Sequence, residues 1–246
     1  TAKGGSLAGI GVAISGAMAL PHELVVPFVQ ATGGYLVEGY GLSECSPVLM
    51  ANPVADNRVP GTVGLPLPGT ECRVVDPDEP TKDVEPGQPG ELVVRGPQVF
   101  SGYYGKPEET EAVFADGWFR TGDIVTIDEG GFVRIVDRIK ELIITGGFNV
   151  APTEVEGALR QHPDVIDAAV VGLPSEHSGE EVVAAIVVDP GTDVDVEAIR
   201  EFARGILTPY KVPRRIFVVD ELPTSLIGKV LRRQVKERLI ALTSGN

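Results

Sequence analysis

The stretch Arg134-Ile135-Val136-Asp137-Arg138-Ile139-Lys140-Glu141-Leu142-Ile143-Ile144-Thr145-Gly146-Gly147-Phe148-Asn149 divides this 246-residue chain into two kinds of sequence. Downstream of it, helical and strand periods alternate. Pro152 to Gln161 places Val155 and Leu159 on one face and stops at His162-Pro163, which predicts a helix. Val165 to Val171 and Val182 to Val188 are apolar runs of strand length. Asp195 is suited to cap a helix whose apolar positions Val196, Ile199, Phe202 and Ile206 recur at helical spacing. Arg215 to Val219 reads as a strand, and Leu231, Val235, Leu239 and Leu242 as the stripe of a final basic helix. The expectation is a compact α+β domain over residues 138–246, with its boundary near Asp137 to Lys140.

Upstream, the runs Cys72 to Val75, Glu91 to Val94, Ile124 to Ile127 and Phe132 to Val136 are separated by Gly and Pro clusters. Asp128-Glu129-Gly130-Gly131 between two alternating runs is a hairpin signal. A small antiparallel β-barrel or twisted sheet is expected over 61–137, with acidic, Pro-rich Asp76 to Pro89 as a surface loop. Residues 1–60 read as strand (Gly9 to Ile14), helix (opened by Pro21, through Val29, ended by Gly33-Gly34) and strand (Tyr35 to Val37). That is part of a parallel α/β layer, in which loops at the strand C-termini hold the ligand. The fold class is therefore α/β followed by α+β.

Composition narrows the function. A net charge of −14 argues against a nucleic-acid partner. The charge is uneven, because the segment from Arg200 onward is basic. A basic end on an acidic chain suits an anionic small ligand or a solvated helix face. Cys45 and Cys72 are the only cysteines, too few for a disulfide framework and consistent with a reducing cytoplasm. His22, His162 and His177 stand singly and supply no zinc site. The apolar runs are strand-length, far short of the ~20 residues a spanning helix needs. The chain opens at Thr1 in mid-pattern, so a C-terminal fragment of a longer protein is expected.

Four short motifs carry polar chemistry. Glu38-Gly39-Tyr40-Gly41-Leu42-Ser43-Glu44 follows a strand and offers an aromatic ring, a hydroxyl and a carboxylate within a few residues. Such a set suits a nucleotide, with Glu44 for Mg²⁺, a hard cation that prefers oxygen; it also suits a plain glycine-rich turn. Trp118-Phe119-Arg120-Thr121-Gly122-Asp123 precedes a strand, and its Asp could accept hydrogen bonds from both ribose hydroxyls or simply complete a turn. Asp137-Arg138-Ile139-Lys140-Glu141 leads to Gly146-Gly147-Phe148-Asn149, and Leu222-Pro223-Thr224-Ser225-Leu226-Ile227-Gly228-Lys229 leads into the basic helix.

In order and spacing, the blocks EGYGLSECSPV, GTVGLPLPGTE, GQPGELVVRGPQVFSGYY, GWFRTGD, RIVDRIKELIITGGFNVAPTEVE and LPTSLIGKVLRR resemble the adenylate-forming superfamily of acyl-CoA synthetases, luciferases and adenylation domains. The likeness runs through essentially the whole chain and points to bacterial long-chain fatty-acyl-CoA ligases. It implies ATP, Mg²⁺ and CoA as cofactor and co-substrates and a fatty acid as substrate. A carboxylate attacks the α-phosphorus of ATP, pyrophosphate leaves, and the thiol of CoA then displaces AMP. Another carboxylic acid (aromatic or amino acid), or a non-catalytic nucleotide- or CoA-binding module, is the alternative. Peripheral membrane contact at the inner face and homo-oligomerisation are left open.

The resemblance assigns roles residue by residue. Gly16 and Ala17 would line the adenine pocket, and Tyr40 would pack on the base. Ser43 would contact the α-phosphate or acyl carboxylate, Glu44 the Mg²⁺, and Asp123 and Arg138 the ribose. Lys229 would bridge acyl carboxylate and α-phosphate oxygens during adenylation. Lys140 matches the hinge, and Gly147 would lie beside the pantetheine path. Asn149 stands where some relatives have a basic residue, and Arg232, Arg233 and Lys236 read as CoA-attracting or solvated. The superfamily's upstream Ser/Thr/Gly-rich phosphate loop is not in these 246 residues, so the chain alone is expected to turn over negligibly.

Overall fold

The computed structural model describes residues 7–16, 20, 24–192, 194–225 and 228–244. The chain divides into two compact units, Thr1–Val136 and Asp137–Asn246. In the first, β1 (Val12–Ser15) pairs in parallel with β2 (Tyr35–Gly41), joined by α1 (Val25–Thr32). The predicted opening at Pro21 lies outside the described residues. The helix runs past Val29 to Thr32, where the amide of Gly33 closes onto the Val29 carbonyl. Strands β3 (Val48–Ala51) and β4 (Leu65–Pro66) extend this sheet antiparallel, in the order β1-β2-β3-β4.

The second sheet is a curled half-barrel built from β5 (Glu71–Val75), β6 (Gly90–Arg95), β7 (Phe114–Ala115), β8 (Trp118–Ile127) and β9 (Val133–Arg138). Its order is β5-β6-β8-β7, with β9 on β8. The Asp128 carboxylate accepts from the amides of Gly130 and Phe132, fixing the turn between β8 and β9. A short helix the sequence pattern did not announce, α2 (Pro107–Ala112), precedes β7. The two sheets share one core in which Tyr40, Leu49 and Met50 meet Leu92, Phe119, Val125 and Val133. The second glycine motif falls inside a strand rather than beside it, and the first begins inside one before leaving it at Leu42. Glu38 to Gly41 completes β2, and Trp118 to Asp123 opens β8.

The second unit is a three-layer arrangement. A sheet of β10 (Ile143–Thr145), β11 (Phe148–Val150), β12 (Asp167–Ser175), β13 (Gly179–Val187) and β14 (Arg215–Val218) lies between α3 (Pro152–Leu159) and α4 (Val196–Arg204) on one face and α5 (Arg232–Ser244) on the other. Ala168, Val170, Ala184 and Ile186 face α3 and α4, while Ala169, Val171, Val183 and Ala185 face α5. Coverage of both faces explains why these strands are apolar without alternation. β12 and β13 form one long hairpin, so the first of them reaches Ser175, four residues past the expected end. The Asp195 cap is present, accepting from the amides of Glu197 and Ala198. The buried seam of α4 is Ile199 and Ala203, continued by Leu207; Phe202 and Ile206 face outward, and Phe202 packs edge-on against His162. On α5, Val235 and Leu239 are buried but Leu242 is exposed. Among the described residues, no helix is long and apolar enough to cross a membrane.

Candidate active site

The first unit brings five of the expected residues to the end of its parallel strand pair. Ser15 pairs with Glu38, so Gly16 leaves β1 beside Gly39, whose carbonyl would lie 3.6 Å from a Cβ at Gly16. One residue on, Tyr40 points into the shared core and donates from its hydroxyl to Asp123 Oδ2 at 2.5 Å. Burial, reinforced by the neighbouring carboxylate, pushes the Tyr40 hydroxyl far above the ordinary tyrosine value, so it remains a donor. Tyr40 is 9% and Asp123 2% exposed. The ring therefore has little face to offer a base, and one Asp123 oxygen is already engaged. Ala17 lies outside the described residues.

Asp123 is aimed by a bulge. Opposite Leu92 the register of β6 and β8 slips, since Glu91 pairs with Ile124 while Val93 pairs with Arg120. The extra residues Thr121 and Gly122 are accommodated with Gly122 at φ 71. Buried Glu91 holds the bulge: Arg120 donates to its Oε2 from Nε (2.9 Å) and Nη2 (2.6 Å), and the Gly122 amide to its Oε1 at 3.2 Å. The Thr121 hydroxyl bonds the Leu92 carbonyl and accepts from the Asp123 amide. Sequence inspection did not single out Glu91. Its signal was a glutamate inside an otherwise apolar strand.

Ser43 and Glu44 sit on a single 3₁₀ turn, Ser43–Cys45, immediately after β2. The chain turns back so tightly that a Cβ at Gly41 would lie 1.8 Å from the Pro47 carbonyl oxygen, so only glycine fits. The Glu44 carbonyl accepts from the Phe100 amide, and its Oε1 accepts from the Tyr103 hydroxyl at 2.9 Å. Tyr103, from the SGYY segment, was not anticipated. Burial and the Glu44 carboxylate raise its hydroxyl above the ordinary value. Among the described residues no group of three or more His, Cys, Asp or Glu could hold a metal. A single carboxylate nevertheless suits Mg²⁺ when substrate phosphates and water complete its oxygen shell.

The other expected residues belong to the second unit. Lys229 is exposed on a turn closed by Ser225 N–H to Lys229 C=O (2.8 Å), Lys229 N–H to Ser225 Oγ (3.1 Å) and a Thr224/Val230 bridge. Lys140 is exposed within the 3₁₀ turn Ile139–Glu141. Arg138 ends β9, with its amide on Asp137 Oδ1. Gly146 and Gly147, at φ 57 and 83, form the two-residue turn between β10 and β11. Asn149 is exposed on β11. Of the basic residues singled out on α5, Arg233 is exposed and pairs with Glu237, while Lys236 pairs with Glu180 and Arg232 with several carboxylates of its own unit.

A parallel strand pair ending in a polar turn, beside a bulge that carries a buried carboxylate, places polar side chains where parallel α/β layers hold their ligands. Residues 1–104 match the family of AMP-binding enzymes and residues 154–229 the AMP-binding enzyme C-terminal domain. The chain belongs to the adenylate-forming, AMP-binding enzymes. It is 46% identical over 222 residues to a long-chain-fatty-acid--CoA ligase of Escherichia coli O157:H7, covering 90% of this chain and 39% of that protein. To the mitochondrial malonate--CoA ligase ACSF3 of Bos taurus it is 38% identical, covering 92% of this chain and 42% of that one. The fold matches ATP-bound MatB from Rhodopseudomonas palustris with a TM-score of 0.85 and 39% identity, covering 92% of this chain and 44% of the other. The chain thus spans about two fifths of the length of these relatives.

Proposed function

We propose that this chain supplies the nucleoside-side carboxylates and the mobile cation of an acid:CoA ligase acting on long-chain fatty acids. In the first step a carboxylate oxygen bonds to the α-phosphorus of ATP and the bond to pyrophosphate breaks. In the second, the CoA sulfur bonds to the acyl carbon and AMP leaves. Mg²⁺, held at Glu44, would offset phosphate charge. Asp123, aimed by its bulge and by Tyr40, would orient the ribose together with Arg138, and Gly16 and Ala17 would bound the adenine, with Tyr40 acting through Asp123 rather than through its buried ring face. Ser43 would contact the α-phosphate or acyl carboxylate. Lys229 would neutralise charge that builds on the transferring oxygens, an interaction stronger in the transition state than in the ground state.

Residues 1–137 and 138–246 would act as separate bodies pivoting near Lys140. One arrangement brings in Lys229; the other withdraws it and brings Gly147 to the pantetheine path. The observation that carries this reading is the convergence of Gly16, Tyr40, Ser43, Glu44 and Asp123 at one strand end, in a chain 46% identical to a fatty-acid--CoA ligase. Similarity to a malonate--CoA ligase supports a second reading, in which a different acid is activated. Acid-dependent ATP–pyrophosphate exchange, screened with long-chain, short dicarboxylic and aromatic acids on an active polypeptide carrying this chain, decides between them. Exchange with long-chain acids only supports the first reading; exchange with another acid and none with these overturns it.

A further inference from the structure

Arg232 opens α5 three residues after Lys229, and its surroundings differ from those of its neighbours. Arg233 has a side chain 92% exposed. The Arg232 guanidinium instead makes a fork on Glu156, Nε to Oε1 at 2.9 Å and Nη2 to Oε2 at 2.8 Å. Nη2 also donates to Thr153 Oγ1 at 2.9 Å, and Nη1 to Glu141 Oε2. Asp137 Oδ1 lies 3.8 Å from Nη1. Glu156 and Asp137 are both buried and tied to backbone, Glu156 to the Val170 amide and Asp137 to those of Arg138 and Thr153. Arg160 is a second cation on Glu156, at 3.5 Å. One planar fork thus joins the segment around Lys140, the start of α3 and the first residue of α5. An ammonium could not reproduce these bonds.

We infer that Arg232 is a positioning residue: it pins the turn carrying Lys229 to the segment 137–141. The inference rests on the reading of Lys229 as the adenylation cation. The connection from Arg232 to Lys229 is short and bonded throughout. The Leu231 amide donates to the Pro223 carbonyl, closing the 223–231 loop at its base, and Ser225 and Lys229 bond each other in both directions. The rest of α5 has its own anchors, Val235 and Leu239 in the core and Lys236 on Glu180 at 3.0 Å. Replacing Arg232 therefore loosens the start of the helix and the loop while the body of α5 remains packed.

The test uses Arg232→Met and Arg232→Lys beside Lys229→Ala, in an active polypeptide carrying this chain. Arg232→Met should lower acid-dependent pyrophosphate exchange by about 10- to 100-fold, the scale of a small misplacement of a catalytic group. Thioester formation from supplied acyl-adenylate should change by less than ~3-fold, and Arg232→Lys should recover only part of the loss. On the chain itself, the amides of Ser225, Lys229 and Leu231 should exchange roughly fivefold faster with solvent, while those in the middle of α5 do not change. Unaltered exchange at these three amides overturns the inference, as does an equal fall in both half-reactions. If Lys229→Ala leaves adenylation intact, the reading of Lys229 fails by itself, and the amide rates still decide whether Arg232 holds the turn.

Discussion

Removing the hydroxyl of Tyr40 (Tyr40→Phe) leaves the ring in the core but takes a donor away from the buried Asp123 carboxylate. A hydrogen bond to a charged group contributes about 1.5–3 kcal/mol. With a urea dependence of about 2 kcal/mol/M, the unfolding midpoint should fall by roughly 1 M. Trp118, the single tryptophan, lies in the same unit with 9% exposure and reports its unfolding by fluorescence. The pH dependence has a definite sign. The folded Tyr40 value is raised above the unfolded one, so the contribution is fully present below about pH 10 and is lost as pH rises through the raised folded value. The gap between wild type and Tyr40→Phe should therefore be constant from pH 7 to 9 at about 2 kcal/mol. Midpoints that coincide within about 0.2 M would refute the buried bond.

Gly41→Ala should yield insoluble or unfolded protein, because its Cβ would overlap the Pro47 carbonyl; a soluble variant with an unchanged urea midpoint contradicts the close approach. Cys45 is fully buried and its thiol is pushed up to about 11, by burial first and then by the Glu44 carboxylate, so alkylation at pH 8 should track unfolding. Mass spectrometry showing rapid modification of the native chain at Cys45 would count against it. Lys140→Pro fixes φ at the proposed pivot and should impair one half-reaction far more than the other; equal impairment in paired assays removes the pivot from the account.

Much of the fold was legible because two periods do not overlap. The α3 pattern Val155/Leu159 and the Asp195 cap identified helices, and Asp128-Glu129-Gly130-Gly131 identified a hairpin. The β10–β11 hairpin was missed because each strand has only three residues, too few to show alternation. Glycine-rich segments placed beside strands proved to lie partly or wholly within them, since a glycine in a strand can mark a bulge or a close crossing as readily as a loop. Gly122 and Gly41 are one of each. For α4, helical spacing allowed two adjoining stripes. The sheet selected the one with small Ala203 over the one with Phe202, which tertiary packing decides and local pattern does not. At the candidate site the residue types were readable, but their supports were not. Glu91, Tyr103 and Arg232 act on groups far away in sequence, and a glutamate in a strand or an arginine on a basic helix carries no local mark of such a partner.

The most direct measurement compares the two half-reactions of Lys229→Ala in an active polypeptide carrying this chain. A lost oxyanion-stabilising cation removes ~3–4 kcal/mol of transition-state stabilisation, so acid-dependent pyrophosphate exchange should drop by roughly 100- to 1,000-fold. Conversion of supplied acyl-adenylate and CoA to thioester should proceed at close to the wild-type rate. Equal loss of both steps, or undiminished exchange, would contradict a cation delivered for adenylation alone.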